Sequence, residues 1–247
     1  MIKLDRAAPP DFLTDEKVAE LVEAFKADSS SVWNHPDIKD ALSASSNGKC
    51  AYCECSVATE SKYLEVEHFE YKGKYPDRVV DWENLLPSCK RCNIAKGTHD
   101  VRLLPLINPY EIDPKEHLAF RLYRLKGLTS IGASTIEALD LNNSDRLVSR
   151  RFDLGEQIAA TIEIAVERLR RYKESTTPIR KNKLLAIVET ILVECQPTAI
   201  YSAGTAAIVF HDEIFLGVVN DMKQVSLWEE HLEQLFIKGT ALALALA

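Results

Sequence analysis

Four of the six cysteines form two closely spaced pairs, Cys50-x2-Cys53 and Cys89-x2-Cys92. Two residues between thiols allow each pair to present two sulfurs to one tetrahedral metal ion, and four thiolates make a closed structural zinc site. The sequence therefore predicts that these four cysteines bind Zn²⁺.

Cys55 leaves an alternative open, because Cys53-Glu-Cys55 would allow it to exchange into the site. The paired spacing is complete without Cys55, so we expect this residue to be a packed free thiol. The 35 residues between Cys53 and Cys89 exceed a simple zinc ribbon, so a folded unit must lie between the two pairs.

That inserted unit contains Glu67-His68, Asn84-Leu85 and Cys89-x2-Cys92-Asn93-x2-Lys96 in this order. With these residues it resembles the HNH, or ββα-metal, endonuclease family. The family more often has Asp at the position of Glu67 and often His at that of Asn93, and both replacements keep an oxygen donor. The resemblance implies hydrolysis of phosphodiester bonds in nucleic acid, with DNA the commoner substrate and RNA, including tRNA, left open.

Each residue of the motif has an expected role in that chemistry. Histidine side chains ordinarily titrate near neutral pH, so His68 is the expected general base. Glu67 and Asn93 offer the oxygen ligands that Mg²⁺ or Mn²⁺ prefers, and such a cation neutralises the phosphate and the leaving oxygen. By resemblance, Asn84 pins the loop that orients His68, and Lys96 contacts a phosphate.

Two features of the segment bear on these roles. Neighbouring residues in a strand point to opposite faces, so Glu67 and His68 share a site only if their strand ends or twists there. His99 is a reserve metal ligand that we place below Asn93.

The elements that position these residues follow from apolar periodicity and from turn residues. We expect helices over 14–27 and 36–45, strands over 63–68 and 118–125, a long helix over 143–172, a helix from Pro178 to Pro197, and helices near 202–211 and 226–236. The predicted fold is α+β and mostly α. An N-terminal helical segment (1–49) precedes a ββα-metal module with four-cysteine zinc knuckles (50–105), and a helical, partner-binding domain follows (106–247).

Composition limits the class of protein further. The 247 residues are 46% hydrophobic and 27% charged, which is typical of a globular chain. No apolar run is long enough to span a bilayer, and the first residues lack the apolar core of a signal peptide. We therefore expect a cytoplasmic protein without a membrane partner, and reduced thiols.

The net charge of −7 is unevenly distributed. Residues 145–183 contain ten Lys or Arg and six Asp or Glu, a net +4, so the remainder carries −11. This stretch is either a contact for a nucleic-acid backbone or a solvated helix surface with interleaved glutamates. We favour the solvated surface.

Three further segments lie outside the motif: RAAPP near the N-terminus, LDLNNS before the long basic helix, and the late segment CQPTAIYSAGTAA. With them, the wider arrangement resembles the HNH subunits of Septu antiphage systems and of retron operons. It implies an ABC-type ATPase partner (PtuA-like) and, in a retron, a reverse transcriptase with its nucleic acid. Two alternatives are a zinc-stapled nucleic-acid or protein-binding module without catalysis, and a structural adaptor for the ATPase.

Overall fold

The computed structural model describes residues 1–58 and 63–247 and confirms the α+β, mostly helical class. The helices are α1 (Asp15–Asp28), α2 (Pro36–Ser45), α3 (Lys90–Lys96), α4 (Ser130–Ala138), α5 (Ser149–Glu174), α6 (Pro178–Val193), α7 (Ser202–Phe210), α8 (Glu213–Gln224) and α9 (Glu230–Leu242). The strands are β1 (Leu64–His68), β2 (Leu85–Cys89), β3 (Leu118–Arg121), β4 (Arg124–Gly127) and β5 (Ala245–Leu246). A π-helical turn, Ser144–Val148, precedes α5.

The chain divides into two compact units. One contains residues 1–117 and 127–141, and the other contains residues 118–126 and 142–247. The N-terminal helices therefore belong to the same unit as the cysteine pairs. The division into 1–49, 50–105 and 106–247 stays a prediction.

In the first unit, α1 and α2 support the segment between the cysteine pairs. The N-cap of α1 is Thr14, whose side chain accepts a hydrogen bond from the Lys17 amide. Val22 of α1 packs with Val79 and Val80, and α2 packs its apolar face against β1 and β2. The loop before β2 is thus held by buried apolar contacts.

β1 and β2 form an antiparallel hairpin that leads directly into α3. In their register Leu64 lies opposite Cys89, and His68 lies opposite Leu85. The Ala51 amide donates to the Pro87 carbonyl at 2.9 Å, which ties the first cysteine pair to β2. The hairpin and α3 together form the predicted ββα unit.

The second unit is a helical bundle around α5. Its buried stripe, Ile158, Ile162, Ala165 and Leu169, follows the helical period and joins one apolar cluster with residues of α6 to α9. Each large aliphatic side chain buried in this way contributes about 2 kcal/mol of transfer free energy. The long helix and the helix from Pro178 are confirmed.

Two predicted elements in this unit are wrong in detail. Residues 118–125 are not one strand, because Leu122 and Tyr123 have φ of 46° and 64° and turn the chain into the β3–β4 hairpin. The helix expected near 226–236 is α9, which begins at Glu230, and α8 precedes it unpredicted. β5 pairs in parallel with β3.

Within the described ranges, no single helix has both the length and the apolar composition to cross a bilayer. α7 and α8 meet that test only as a pair, across a bend of 70°. Both helices contribute residues to the apolar cluster of the bundle.

Candidate functional site

The end of β1 and one face of α3 line a cavity of about 270 Å³. Its lining residues are Glu67, His68, Tyr71, Lys72, Asn93, Ile94, Gly97 and Thr98. β1 ends at His68, so the two neighbouring residues Glu67 and His68 both reach this cavity. Strand alternation would place the two side chains on opposite faces, but β1 ends at His68, so the alternation does not separate them.

The His68 ring is buried and fixed by its surroundings. Its Nε2 lies 2.8 Å from the Val79 carbonyl oxygen. A carbonyl only accepts hydrogen bonds, so Nε2 donates and Nδ1 keeps the lone pair in the neutral ring. The Trp33 ring meets His68 edge-on with centroids 4.7 Å apart. This contact sets the ring orientation from a second side.

The surroundings of His68 also disfavour its protonated form. Burial is the main cause, and the positive charges of Lys72 and Lys96 add to it, lowering the pKa of His68 to about 3. The hydrogen bond to Val79 opposes this shift only in part. The imidazole is therefore neutral at physiological pH and can accept a proton at Nδ1.

Asn84 fixes the loop between β1 and β2. Its Oδ1 accepts from the Glu70 amide at 2.7 Å, and its Nδ2 donates to the carbonyls of Glu70 and Arg78 at 3.2 and 2.9 Å. The side chain is buried, and the two bonds to Glu70 are shielded from water, whereas the bond to Arg78 is partly buried. Because Val79 follows Arg78, this bonding holds the carbonyl that faces His68.

Lys96 occupies a different place from the one expected of a phosphate contact. Its side chain is 1% exposed, and Nζ donates to the His68 carbonyl at 2.8 Å. Nζ also forms an ion pair with Glu67 Oε1 at 2.6 Å. The ammonium is thus internal to the fold, because Lys96 lies on the face of α3 that packs on β1.

Glu67 is equally buried, and burial raises the pKa of its carboxyl group, while the charge of Lys96 lowers it in part. Oε1 is held in the ion pair with Lys96 Nζ at 2.6 Å, and none of the described donors is hydrogen-bonded to Oε2. Oε2 is therefore the carboxylate oxygen that is open to a cation.

Asn93 brings a second acidic residue to the site. Its Nδ2 donates to Glu65 Oε2 at 2.6 Å, and none of the described donors bonds its Oδ1. Glu65 did not enter the sequence prediction, although it lies two residues before Glu67 and strand alternation places both on one face. Glu65, Glu67 and Asn93 offer oxygen atoms as metal ligands, which is the ligand type that Mg²⁺ and Mn²⁺ prefer.

His99, the reserve ligand, does not line the cavity. Its Nε2 lies 2.7 Å from the Leu104 carbonyl oxygen. A nitrogen held in that way is occupied by the backbone of its own loop.

The four paired cysteines converge as the zinc prediction requires. Their sulfurs all lie within 4.8 Å of one another, and Sγ of Cys53 and Cys89 are 3.7 Å apart. Tetrahedral zinc with Zn–S bonds of about 2.3 Å separates its sulfurs by about 3.8 Å, so the residues fit this ion. Cys55 is not a member of the four-sulfur group.

The sulfur cluster favours the thiolate form in one cysteine of each pair. Burial raises the pKa of Cys50, and bonds to neighbouring thiols, that of Cys50 first, raise the pKa of Cys92. Hydrogen bonds from neighbouring thiols, that of Cys50 first, lower the pKa of Cys89 to about 4, and the same kind of bond lowers the pKa of Cys53. Arg91 adds positive charge, with Nη2 3.1 Å from Cys92 Sγ. Arg91 also donates to the carbonyls of Leu139 and Asp140, after α4.

Comparison with known proteins agrees with this geometry. Residues 50–99 match the model of the HNH endonuclease family. The chain is 40% identical over 237 residues to the Septu protein PtuB of Bacillus thuringiensis, covering 95% of this chain and 92% of that protein. It is 32% identical over 149 residues to the Septu protein PtuB of Bacillus mycoides strain KBAB4, covering 48% and 47%. The chain therefore belongs to the Septu PtuB family and carries an HNH endonuclease segment at residues 50–99.

Proposed function

We propose that this protein is a metal-dependent HNH endonuclease that hydrolyses phosphodiester bonds of nucleic acid in antiphage defence. One observation carries the proposal: a neutral His68, fixed through Nε2, shares one cavity with Glu67 and Asn93 inside the segment that matches the HNH family. The site combines a base with oxygen donors for a cation.

In this mechanism His68 accepts a proton at Nδ1 from the attacking water. The Nε2–H bond to Val79 persists in the imidazolium and stabilises it. Glu67 and Asn93 would hold Mg²⁺ or Mn²⁺, which when bound supplies positive charge for the phosphate and the leaving oxygen. Asn84 keeps the Val79 carbonyl in place, and Zn²⁺ on the four cysteines is structural.

DNA is the proposed substrate, because it is the commoner substrate of HNH nucleases, and RNA is tested beside it. The identity to Septu PtuB proteins supports a cytoplasmic defence role with an ABC-type ATPase subunit as partner. A reverse transcriptase as a further partner is a narrower proposal, and the neighbouring genes test it.

The decisive experiment compares His68→Ala with the wild-type chain. Plasmid DNA and total tRNA are incubated with Mg²⁺ or Mn²⁺, with and without EDTA and with and without the ATPase. We expect His68→Ala to abolish cleavage while zinc content and circular dichroism stay unchanged. The matched control is His99→Ala, a histidine of the same segment outside the cavity, which should keep activity.

Cleavage retained by His68→Ala would contradict the assignment of His68 as the general base. Binding of nucleic acid without cleavage by the wild-type chain, alone and with the ATPase, would favour the binding-module alternative instead.

A further inference from the structure

A lysine other than Lys96 lines the candidate catalytic cavity, and it is not among the motif residues named from the sequence. Lys72 lies in the loop after β1 and is a lining residue, whereas Lys96 is buried beneath the site. In residues 1–58 and 63–247 no carboxylate lies within ion-pair distance of Lys72 Nζ, and its nearest acidic influences are Glu67 and Glu65. Of the two ammonium groups, only that of Lys72 borders the open volume.

Trp33 holds this ammonium in position. Lys72 Nζ lies 4.8 Å from the centroid of the Trp33 ring, and the same indole contacts the His68 ring. A cation–π contact attracts the charge without using a hydrogen-bond acceptor, so the N–H donors of Lys72 stay available to a ligand. The Trp33 ring therefore contacts both the imidazole of His68 and the ammonium group of Lys72 at the same cavity.

The electrostatics of the loop point to an anionic ligand. Partial burial lowers the pKa of Lys72, while Glu67 opposes that shift. A half-buried ammonium that lacks a hydrogen-bonded acceptor gains more from an incoming phosphate oxygen than a solvated one would. Tyr71 and Thr98 add hydroxyl groups to the same lining.

We propose that Lys72 binds the phosphate of the nucleic acid next to the bond that is cut, the role expected from the sequence for Lys96. The inference rests on the proposed nuclease function only for its cleavage measurement. Its binding measurement stands without catalysis.

Binding is measured in the His68→Ala chain, so that no substrate is consumed. Lys72→Met is compared with Lys74→Met, a matched control in the same loop whose ammonium is exposed and paired with Asp100. Fluorescence anisotropy of a labelled DNA duplex, and separately of labelled tRNA, gives Kd at a series of low salt concentrations. Zinc content and circular dichroism check folding, and Lys72→Gln serves as a second variant.

We expect Lys72→Met to raise Kd by roughly tenfold to a hundredfold, as loss of a charge-assisted hydrogen bond does. The slope of log Kd against log salt should become shallower by about one. Lys72→Arg should retain most of the affinity, and Lys74→Met should match the parent chain.

Cleavage by chains that keep His68 provides the second measurement. Lys72→Met should lower kcat/KM by a similar factor, and Lys74→Met should not. Equal behaviour of the two variants in both measurements, or no binding of either nucleic acid by the parent chain, would overturn the role of Lys72. Loss of binding in Lys72→Met when the wild-type chain cleaves nothing, alone or with the ATPase, would support Lys72 as a phosphate contact and overturn the proposed nuclease.

Discussion

At the scale of single residues, the side chain of Asn84 forms three hydrogen bonds to the backbone of the loop between β1 and β2. Asn84→Ala should lower the free energy of unfolding by about 3 kcal/mol, because three backbone groups, two of them in buried hydrogen bonds, lose their partner. Cleavage should fall too, since the loop that carries Val79 is released. Urea unfolding and initial rates of cleavage measure the two effects, and Asn182→Ala, an exposed asparagine of α6, should stay within about 0.5 kcal/mol of wild type. An unchanged unfolding midpoint in Asn84→Ala contradicts the pinning role.

Glu70 gives the same loop a pH dependence. Arg102 donates to both of its carboxylate oxygens at 2.8 Å, and Arg78 adds a contact at 2.7 Å. These bonds, those of Arg102 first, lower the pKa of Glu70 in the folded chain. A lowered folded pKa means that the stabilisation is present above the unfolded value of about 4.3 and is lost as pH falls through the folded value.

The difference in unfolding free energy between wild type and Glu70→Gln should therefore be constant near neutral pH and shrink below about pH 4.3. Urea titrations of both chains across that range measure it, and the subtraction removes any common effect of zinc loss. A difference that is the same at acidic and neutral pH would argue against the ion pairs as its source.

The two lysines show what a sequence can say about a site. The types and spacing of Glu67, His68 and Asn84 identify the motif, because the chemistry restricts those positions. The choice between Lys96 and Lys72 depends on which face of α3 packs inward and on the course of a loop beside Trp33. Tertiary contacts determine the inward face of α3 and the course of this loop, and local sequence patterns do not indicate tertiary contacts.

At the scale of elements, the joint between β2 and α3 depends on the cysteines. Cys89 ends the strand and caps the helix, accepting from the Cys92 amide at 3.5 Å. Cys92→Ser should lower the zinc content of the purified chain and its thermal midpoint, because one of four thiolates is removed. Cys55→Ser is the matched control and should keep wild-type zinc content. A loss of zinc in Cys55→Ser would instead make Cys55 a ligand.

Arg91 connects the four-cysteine cluster to the residues after α4. Four thiolates around the proposed Zn²⁺ would carry a net negative charge, and the Arg91 guanidinium would offset it while it bonds the carbonyls of Leu139 and Asp140. Arg91→Met should weaken zinc binding by roughly tenfold or more, measured by competition with a chelator. Lys90→Met, one residue earlier, is the control. Equal zinc affinity in both variants would leave Arg91 without an influence on the metal.

Periodic elements were predictable, and turns set by backbone conformation were not. α5 follows from an apolar stripe over seven turns. The helix ends two residues after the predicted boundary, and its predicted start, residue 143, precedes the π-helical turn Ser144–Val148 that leads into α5. The β3–β4 turn uses Leu122 and Tyr123 at positive φ, where Gly or Asn would have been the sequence signal. α8 had a signal in Asp212 as N-cap and in the spacing of Phe215, Val218 and Met222, with Gly217 weakening the pattern.

At the scale of the whole molecule, the basic stretch of α5 is largely neutralised by its own helix. Arg170 pairs with Glu167 and Glu174, and Arg171 pairs with Glu167. Lys173 pairs with Asp221 of α8. These exposed pairs add little stability, and they support the solvated surface over a continuous nucleic-acid contact.

The chain is acidic, and basic residues of α5 form ion pairs with acidic side chains, so the isolated protein should bind nucleic acid weakly. We therefore expect log Kd of the isolated protein to depend only weakly on the logarithm of the salt concentration. The complex with the proposed ABC-type ATPase should bind more tightly and show a steeper slope, because the partner contributes additional phosphate contacts. Anisotropy with labelled DNA and tRNA measures both, with the ATPase alone as control. A slope for the isolated chain as steep as that of the complex, together with full unregulated cleavage, would mean that this subunit carries the whole nucleic-acid contact itself.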